Sequence, residues 1–288
     1  MALFGFNYNK PGPGVSKDEP EKKAFFRFFS VYGAKFWDLI KMNMLYIITV
    51  IIQWVPMIIF LVTFFSQKDL SAQLSNLYNY MIMLVCALPL ALTGPFTCGY
   101  AYLLRNCVRR EHYFMISDYN DTLKSNFRQS FIATLINVMV FIVLLFNLRF
   151  YYIQLNTNQL FVLPLALCVF LMLMLIFMSY YIYVMMITFK LTLKQLYKNS
   201  FIFAVLGIGR NILVTILLAA IIFLHALFYP ISLFFVPFFS LSFIGLIISF
   251  SSWPMLKKYM IDPQTVEEKP DENAEDGPQV FDDRGRER

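Results

Sequence analysis

Charge is scarce in this chain. Of its 288 residues 15% are Asp, Glu, Lys or Arg, while 59% are hydrophobic and 18% aromatic, and mean hydropathy is +0.61. A soluble domain carries about a quarter charged residues, and one built from this composition would expose large apolar patches. An ordinary soluble fold is therefore excluded, and lipid is predicted as the solvent. Histidine is nearly absent: His112 and His225 lie far apart and give no metal centre. The four cysteines, Cys86, Cys98, Cys107 and Cys168, form no CxxC pair and no cluster, so neither disulfides nor metal is implied. A Ser-His-Asp order, closely paired acids, an HExxH motif and a Walker loop are all missing. These absences predict a chain that is not an enzyme, holds no cofactor and hydrolyses no nucleotide by itself.

What the sequence has instead is long uncharged apolar runs. A helix rises about 1.5 Å per residue, so roughly 20 such residues cross the hydrocarbon of a bilayer. The runs are 42–65, 80–104, 131–148, 160–189, 211–229 and 231–253, and none contains Asp, Glu, Lys or Arg. They predict an all-α membrane protein with about six transmembrane helices. The last two runs are divided only at Tyr229-Pro230. Together they are too long for one span, so the 211–253 region reads as a tight hairpin at Pro230, where the backbone ladder cannot continue. A polar N-terminal extension (1–23) precedes the six-span domain (24–261), so the first run reads as a retained span and not as a cleaved signal. The segment 262–288 has ten acidic residues against four basic ones and few apolar groups, and reads as a disordered tail.

Basic residues are distributed unevenly. Of the 24 Lys and Arg, all but Lys68 and Arg149 precede the first run, follow the last, or lie in the 105–130 and 190–210 connections. The positive-inside rule then places both termini in the cytoplasm, and an even number of spans agrees. Anionic lipid accounts for this charge. Nucleic acid does not, because the basic residues flank spans and form no separate domain. Trp37, Trp54 and Trp253 fall near span ends or flanks, as interfacial anchors do.

The two long basic connections resemble one another. Residues 122–132 (TLKSNFRQSFI) and 192–202 (TLKQLYKNSFI) are identical at six of eleven positions. Each reads as an amphipathic helix in the headgroup layer. In the first, Ile116, Tyr119, Leu123, Phe127 and Phe131 form the apolar stripe, with Asp121, Lys124 and Arg128 on another face and Asp118 placed to cap the start. In the second, Leu193, Leu196, Tyr197 and Phe201 oppose Lys194 and Lys198. The stretch 24–41 behaves likewise through Phe25, Phe28, Phe29, Tyr32, Phe36 and Ile40. The architecture predicted is three copies of an interfacial helix followed by a two-helix hairpin. Chance similarity between lipid-facing segments is the other explanation of the match.

Polar groups inside the runs are few. Thr93, Asn137, Ser179 and several serines of the last run read first as hydrogen-bonding glue between helices, and His225 as a structural hydrogen-bonded residue or, less simply, a proton relay. The second run is the most unusual, because Pro89 and Thr93-Gly94-Pro95 interrupt it. A helix kink at Pro89, Gly94 and Pro95 follows; freed carbonyls there can bind a solute or simply bond a neighbouring hydroxyl.

Several short segments carry a resemblance. They are Phe28-Phe29, Lys35-Phe36-Trp37, Asn43-Met44-Leu45, Leu88-Pro89 with Thr93-Gly94-Pro95, residues 121–130, and 194–200. Over roughly 24–260 the chain resembles the YesL-type family of bacterial integral membrane proteins of unknown function; the extension, the 66–79 loop and the acidic tail look like departures. The family has no established catalytic residues, so none is carried over. The resemblance implies a bacterial cell membrane and components encoded near carbohydrate-uptake ABC transporters. The expectation is a non-enzymatic accessory protein that contacts sugar ABC-transporter subunits through Asp121, Lys124, Arg128, Lys194 and Lys198. The plainer reading of those residues is contact with membrane lipid and solvent. The alternative function is a transporter or channel for a neutral solute, with the Pro89–Pro95 kink lining the path. A membrane enzyme acting on lipid or glycan lacks a catalytic inventory.

Overall fold

The computed structural model describes residues 23–65 and 77–263, and among these there is no strand. Most of the polar extension, the loop carrying Lys68 and nearly all of the acidic segment lie outside the described residues. Six helices are long and apolar enough to cross a bilayer: Phe36–Thr63, Met81–Arg109, Phe127–Gln154, Gln159–Met186, Ile208–Leu227 and Ser232–Ile261. Their outward faces are apolar, with Ile52, Leu163, Ile222 and Phe234 among many exposed side chains. That is the surface a multi-pass integral membrane protein presents to lipid.

The helices are α1 (Ala24–Ala34), α2 (Phe36–Phe65), α3 (Leu77–Ala87), α4 (Thr93–Arg109), α5 (Met115–Ser125), α6 (Phe127–Gln154), α7 (Val162–Met186), α8 (Leu193–Leu206), α9 (Ile208–Leu227), α10 (Ser232–Phe235) and α11 (Leu241–Leu256). The second span is α3 and α4 joined by a 3-10 turn, Leu88–Leu92. The sixth is α10 and α11 joined by a π-helical turn, Val236–Ser240. The fifth and sixth spans form a hairpin whose turn contains Tyr229-Pro230.

Three times a short helix meets a span through a single elbow residue: α1–Lys35–α2, α5–Asn126–α6 and α8–Gly207–α9. The elbows share one backbone conformation, with φ/ψ of −111/16, −106/8 and −96/19, in the sparsely populated bridge region. They also share one hydrogen-bond pattern. Each elbow N–H donates to the carbonyl four residues back, and each elbow carbonyl accepts from the N–H four residues on. The residues receiving that second bond, Leu39, Ser130 and Asn211, are all buried. Eight residues past each elbow stands a polar side chain that reaches a tyrosine hydroxyl. Asn43 reaches Tyr100 (3.5 Å), Thr134 reaches Tyr183 (2.7 Å) and Thr215 reaches Tyr180 (2.8 Å).

The architecture is thus three copies of an interfacial helix plus a two-helix hairpin, but its register is not that of the eleven-residue match. Asn126 is an elbow, whereas its sequence counterpart Leu196 is buried inside α8, eleven residues before Gly207. Ser130 and Ser200, aligned by the match, are both fully buried and each donates to the carbonyl four residues back, so the match records a shared helix face and not the elbow. The apolar stripe of α5 also divides. Tyr119 turns into the protein, 2% exposed, because Gly99 leaves its ring a seat, while Ile116 stays outside. Asp118 does hold the start of α5, accepting from the Phe114 N–H at 2.9 Å. Trp37 lies at the start of α2, but Trp54 sits in mid-helix and is no interfacial anchor.

At the centre stands α4, touched by α2, α5, α6, α7 and α11. Glycines allow the approach. A Cβ on Gly94 would run into Thr134 and the Ser130 carbonyl, and one on Gly245 into Leu104. Small residues let backbones come close where lipid supplies no hydrophobic drive.

Candidate functional site

Two features have the chemistry of a site: a charged face at the basic end, and a cavity inside the bundle.

The basic end is built by α5, the Asn126 elbow and α8. A capping box starts α8, with the Thr192 and Gln195 side chains each satisfying the other's backbone N–H. The inward side of α8 packs through Leu196 and Ser200, both fully buried. Tyr197 donates to the α6 backbone at Ala133 (2.9 Å), and Gln129 donates to the Leu191 carbonyl (2.7 Å). These bonds tie α8 and the residues just before it to the first turns of α6. Asp121, Lys124, Arg128, Lys194 and Lys198 are all exposed. Among the described residues no ion pair joins them, and Asp121 accepts only from Ser117 one turn away. Burial pushes the Tyr119 and Tyr197 hydroxyls up to about 12, so both stay protonated donors near neutral pH and hold these helices in place.

The basic end also hides a cation that the sequence placed in a solvated connection. Arg105 is 6% exposed. Its Nη1 donates to the Ile187 carbonyl (3.1 Å) and the Thr188 hydroxyl (3.0 Å), and its Nη2 to Asn106 (3.2 Å). The guanidinium therefore closes the carboxyl end of α7, where a positive group suits the helix dipole. Arg109, paired with Glu111, lies 4.7 Å over the Trp253 ring.

The kink is where Pro89 interrupts the second span. Leu88–Leu92 tightens into a 3-10 turn, and Thr93 Oγ1 donates to the Leu90 carbonyl at 2.7 Å. Gly94, just past that turn, packs closely on Thr134 and the Ser130 carbonyl of α6. Pro95 opens α4, where a missing N–H has least effect. From the kink a polar chain runs inward. Thr97 bonds both the Thr93 carbonyl (2.8 Å) and Tyr46 (2.9 Å), and the Tyr46 ring stacks on Tyr100 at 4.4 Å. Tyr100 in turn reaches Asn43, whose Nδ2 donates to the Val236 carbonyl (2.7 Å) and whose Oδ1 accepts from the Ser242 N–H (2.9 Å). Asn43 thereby bonds two backbone groups at the π-helical turn around Pro237.

Beside the kink, α2, α3, the 3-10 turn, α6 and α7 line a side-open cavity of about 380 Å³. Its walls are apolar, with Trp54, Leu90, Phe141 and Leu175 from the different sides. Three polar side chains line it: Thr93, Asn137 and Ser179. Ser179 donates to the Ile176 carbonyl at 2.6 Å. Asn137 and Tyr197 lie 2.9 Å apart, but the same hydroxyl is equally close to the Ala133 carbonyl and has one proton to give. Whichever way the carboxamide is turned, one end of it finds no partner among the described residues. Gln53 Oε1, one residue before Trp54, is buried with no hydrogen-bond partner among the described residues. At the far end of the fifth span, His225 is fully engaged, with Nδ1 on the Ile221 carbonyl (2.8 Å) and Nε2 on Ser240 (2.6 Å).

Asn43, Arg105 and the cavity escaped the sequence reading. A polar residue at a fixed distance past each elbow would have singled out Asn43, had the elbows been known. Nothing in the linear sequence marks a space shared by four helices. Among the described residues no group of three His, Cys, Asp or Glu is placed to hold a metal ion.

A family model described as "Protein of unknown function, DUF624", the family to which YesL belongs, matches residues 72–148. The match is well under half of the chain and takes in the kink, α4, α5 and most of α6. Searches of curated proteins and of solved structures return no match.

Proposed function

We propose that this chain is a YesL-type, non-enzymatic accessory protein of the bacterial cell membrane, with both termini cytoplasmic, that serves a carbohydrate-importing ABC transporter. One observation carries the reading. On α5 and α8 the inward sides are fixed by packing, while Asp121, Lys124, Arg128, Lys194 and Lys198 stand exposed and unpaired with one another on adjacent segments. A charged face held rigidly at one end of the bundle suits electrostatic contact with an acidic partner surface, and its cations also suit anionic headgroups. The family resemblance supplies the choice of partner.

Charge reversal tests it. Lys124→Glu combined with Arg128→Glu is expected to weaken retention of transporter subunits at least tenfold when the chain is purified in mild detergent. Both residues are exposed, so membrane insertion and melting temperature should stay unchanged. Failure of the wild-type chain to retain any transporter subunit, with sugar uptake intact in a strain lacking it, would overturn the reading.

The cavity favours a second reading, a transporter or channel for a neutral solute, since Leu90 and Thr93 of the kink line it. Flux of an uncharged sugar into liposomes containing the purified chain is the measurement for that reading.

A further inference from the structure

The cavity between α2, α3, α6 and α7 points to a ligand of its own. We propose that it is a binding site for an uncharged, single-chain amphiphile from the bilayer, whose hydrogen-bonding head is held by Asn137. The site rests on neither reading above, because a resident lipid needs no partner protein and no translocation.

The chemistry of the wall selects the ligand. Among the described residues no ionised side chain lines the space, so a charged head would lie in hydrocarbon without a counter-charge from them, which is costly. Most of the wall is aliphatic or aromatic and suits an acyl or prenyl chain. The polar groups are not scattered. Thr134, one turn before Asn137, bonds Tyr183, one turn after Ser179, at 2.7 Å. In these antiparallel helices that bond puts Asn137 and Ser179 at one level. Thr93 precedes Gly94, which packs against Thr134 itself. The apolar space therefore ends in one polar patch.

The hydrogen-bond inventory of that patch is uneven. The Thr93 and Ser179 hydroxyls have given their protons to Leu90 and Ile176 and can only accept. One end of the Asn137 carboxamide is unused. A polar group left unpaired in an apolar setting is costly; with the carboxamide oxygen on Tyr197, a hydroxyl head accepts from the free Asn137 NH2 and donates to Thr93 or Ser179. Access comes from the side. Trp54 and Phe141, both in the wall, are 48% and 39% exposed on the lipid-facing surface. At about 380 Å³ the space lies at the small end of ligand sites, which favours one chain over two.

The test uses the full chain in phosphatidylcholine nanodiscs and two photoreactive probes, a diazirine-tagged monoacylglycerol and a diazirine-tagged phosphatidylglycerol. The monoacylglycerol is expected to label peptides containing Phe141 or Leu175 saturably, and unlabelled monoolein should compete. Asn137→Leu should weaken this labelling about tenfold, the effect of one hydrogen bond in an apolar site. Since Asn137 also braces Tyr197, Leu175→Trp provides a second variant that fills the space from α7 without touching that bond, and it too should abolish saturable labelling. Ile222→Trp, on the lipid face of α9, should change nothing. The proposal is overturned if labelling rises linearly with probe, if Leu175→Trp labels like wild type, or if the anionic probe labels the same peptides equally well.

Discussion

Gly99→Val is expected to abolish the native fold in most preparations and to destabilise any that folds by more than about 3 kcal/mol, beyond the usual cost of overpacking. A Cβ at this position would lie 2.7 Å from the Tyr119 carbonyl oxygen and 2.8 Å from its ring. Neither can retreat. The carbonyl belongs to the α5 backbone, and the Tyr119 hydroxyl is tied to Thr49 of α2 at 2.9 Å. The added methyls would thus force α5 away from α4 and break a contact shared by three helices. Gly33 and Gly209 provide the contrast, since a Cβ on either meets nothing within 4 Å. Gly33→Ala and Gly209→Ala should leave stability unchanged or raise it by up to about 1 kcal/mol, through helix propensity alone. Thermal melting of the four proteins in one detergent reads the difference. A Gly99→Val protein melting with wild type would mean that α5 does not pack here.

Asn43→Leu is expected to cost about 2–4 kcal/mol, because it removes both partners of a broken stretch of backbone. Side-chain hydrogen bonds between transmembrane helices average only about 0.6 kcal/mol, since the separated helices find other partners. The Val236 carbonyl and the Ser242 N–H are different. At this π-helical turn the Ser242 N–H would lose its buried acceptor, at a cost of about 1–3 kcal/mol, and the Val236 carbonyl would lose a side-chain donor. Asn43→Asp discriminates between hydrogen bonding and volume. It keeps the size and an acceptor for Ser242, but turns a carboxylate oxygen toward the Val236 carbonyl, 2.7 Å from the present Nδ2. Asp should therefore be at least as damaging as Leu at neutral pH. An Asn43→Leu protein as stable as wild type would show that the site asks only for volume.

The six spans were legible because uncharged runs of span length have no other stable setting, and the hairpin because Pro230 divides a run too long to cross once. The repeat was legible in outline only. What recurs is a backbone conformation, and Lys, Asn and Gly adopt it at Lys35, Asn126 and Gly207, so matching letters could not find it. The match at 122–132 and 192–202 instead followed a shared helix face, on which Ser130 and Ser200 are both buried. Charge was read as location: Arg105 was placed in a connection, yet it closes the end of α7, because a helix terminus offers carbonyls that solvate a cation without water. Asp121, Lys124, Arg128, Lys194 and Lys198 follow simple amphipathicity, and all are exposed. The cavity has no linear signature. Trp54, Leu90, Phe141 and Leu175 look like lipid-facing residues until four helices are assembled around one space.

The central claim is a threefold unit in which every elbow lies at one membrane face and every hairpin turn at the other. Single-cysteine accessibility in intact cells tests it most directly, in a background whose four native cysteines are replaced. Thr157→Cys, in the exposed turn between the third and fourth spans, should react with a membrane-impermeant maleimide added outside. Lys124→Cys and Lys194→Cys should react only after the membrane is opened. Labelling of Lys124→Cys and Lys194→Cys from opposite sides would contradict the fold, and labelling of both from outside, with Thr157→Cys protected, would invert the orientation on which the proposed partner contact depends.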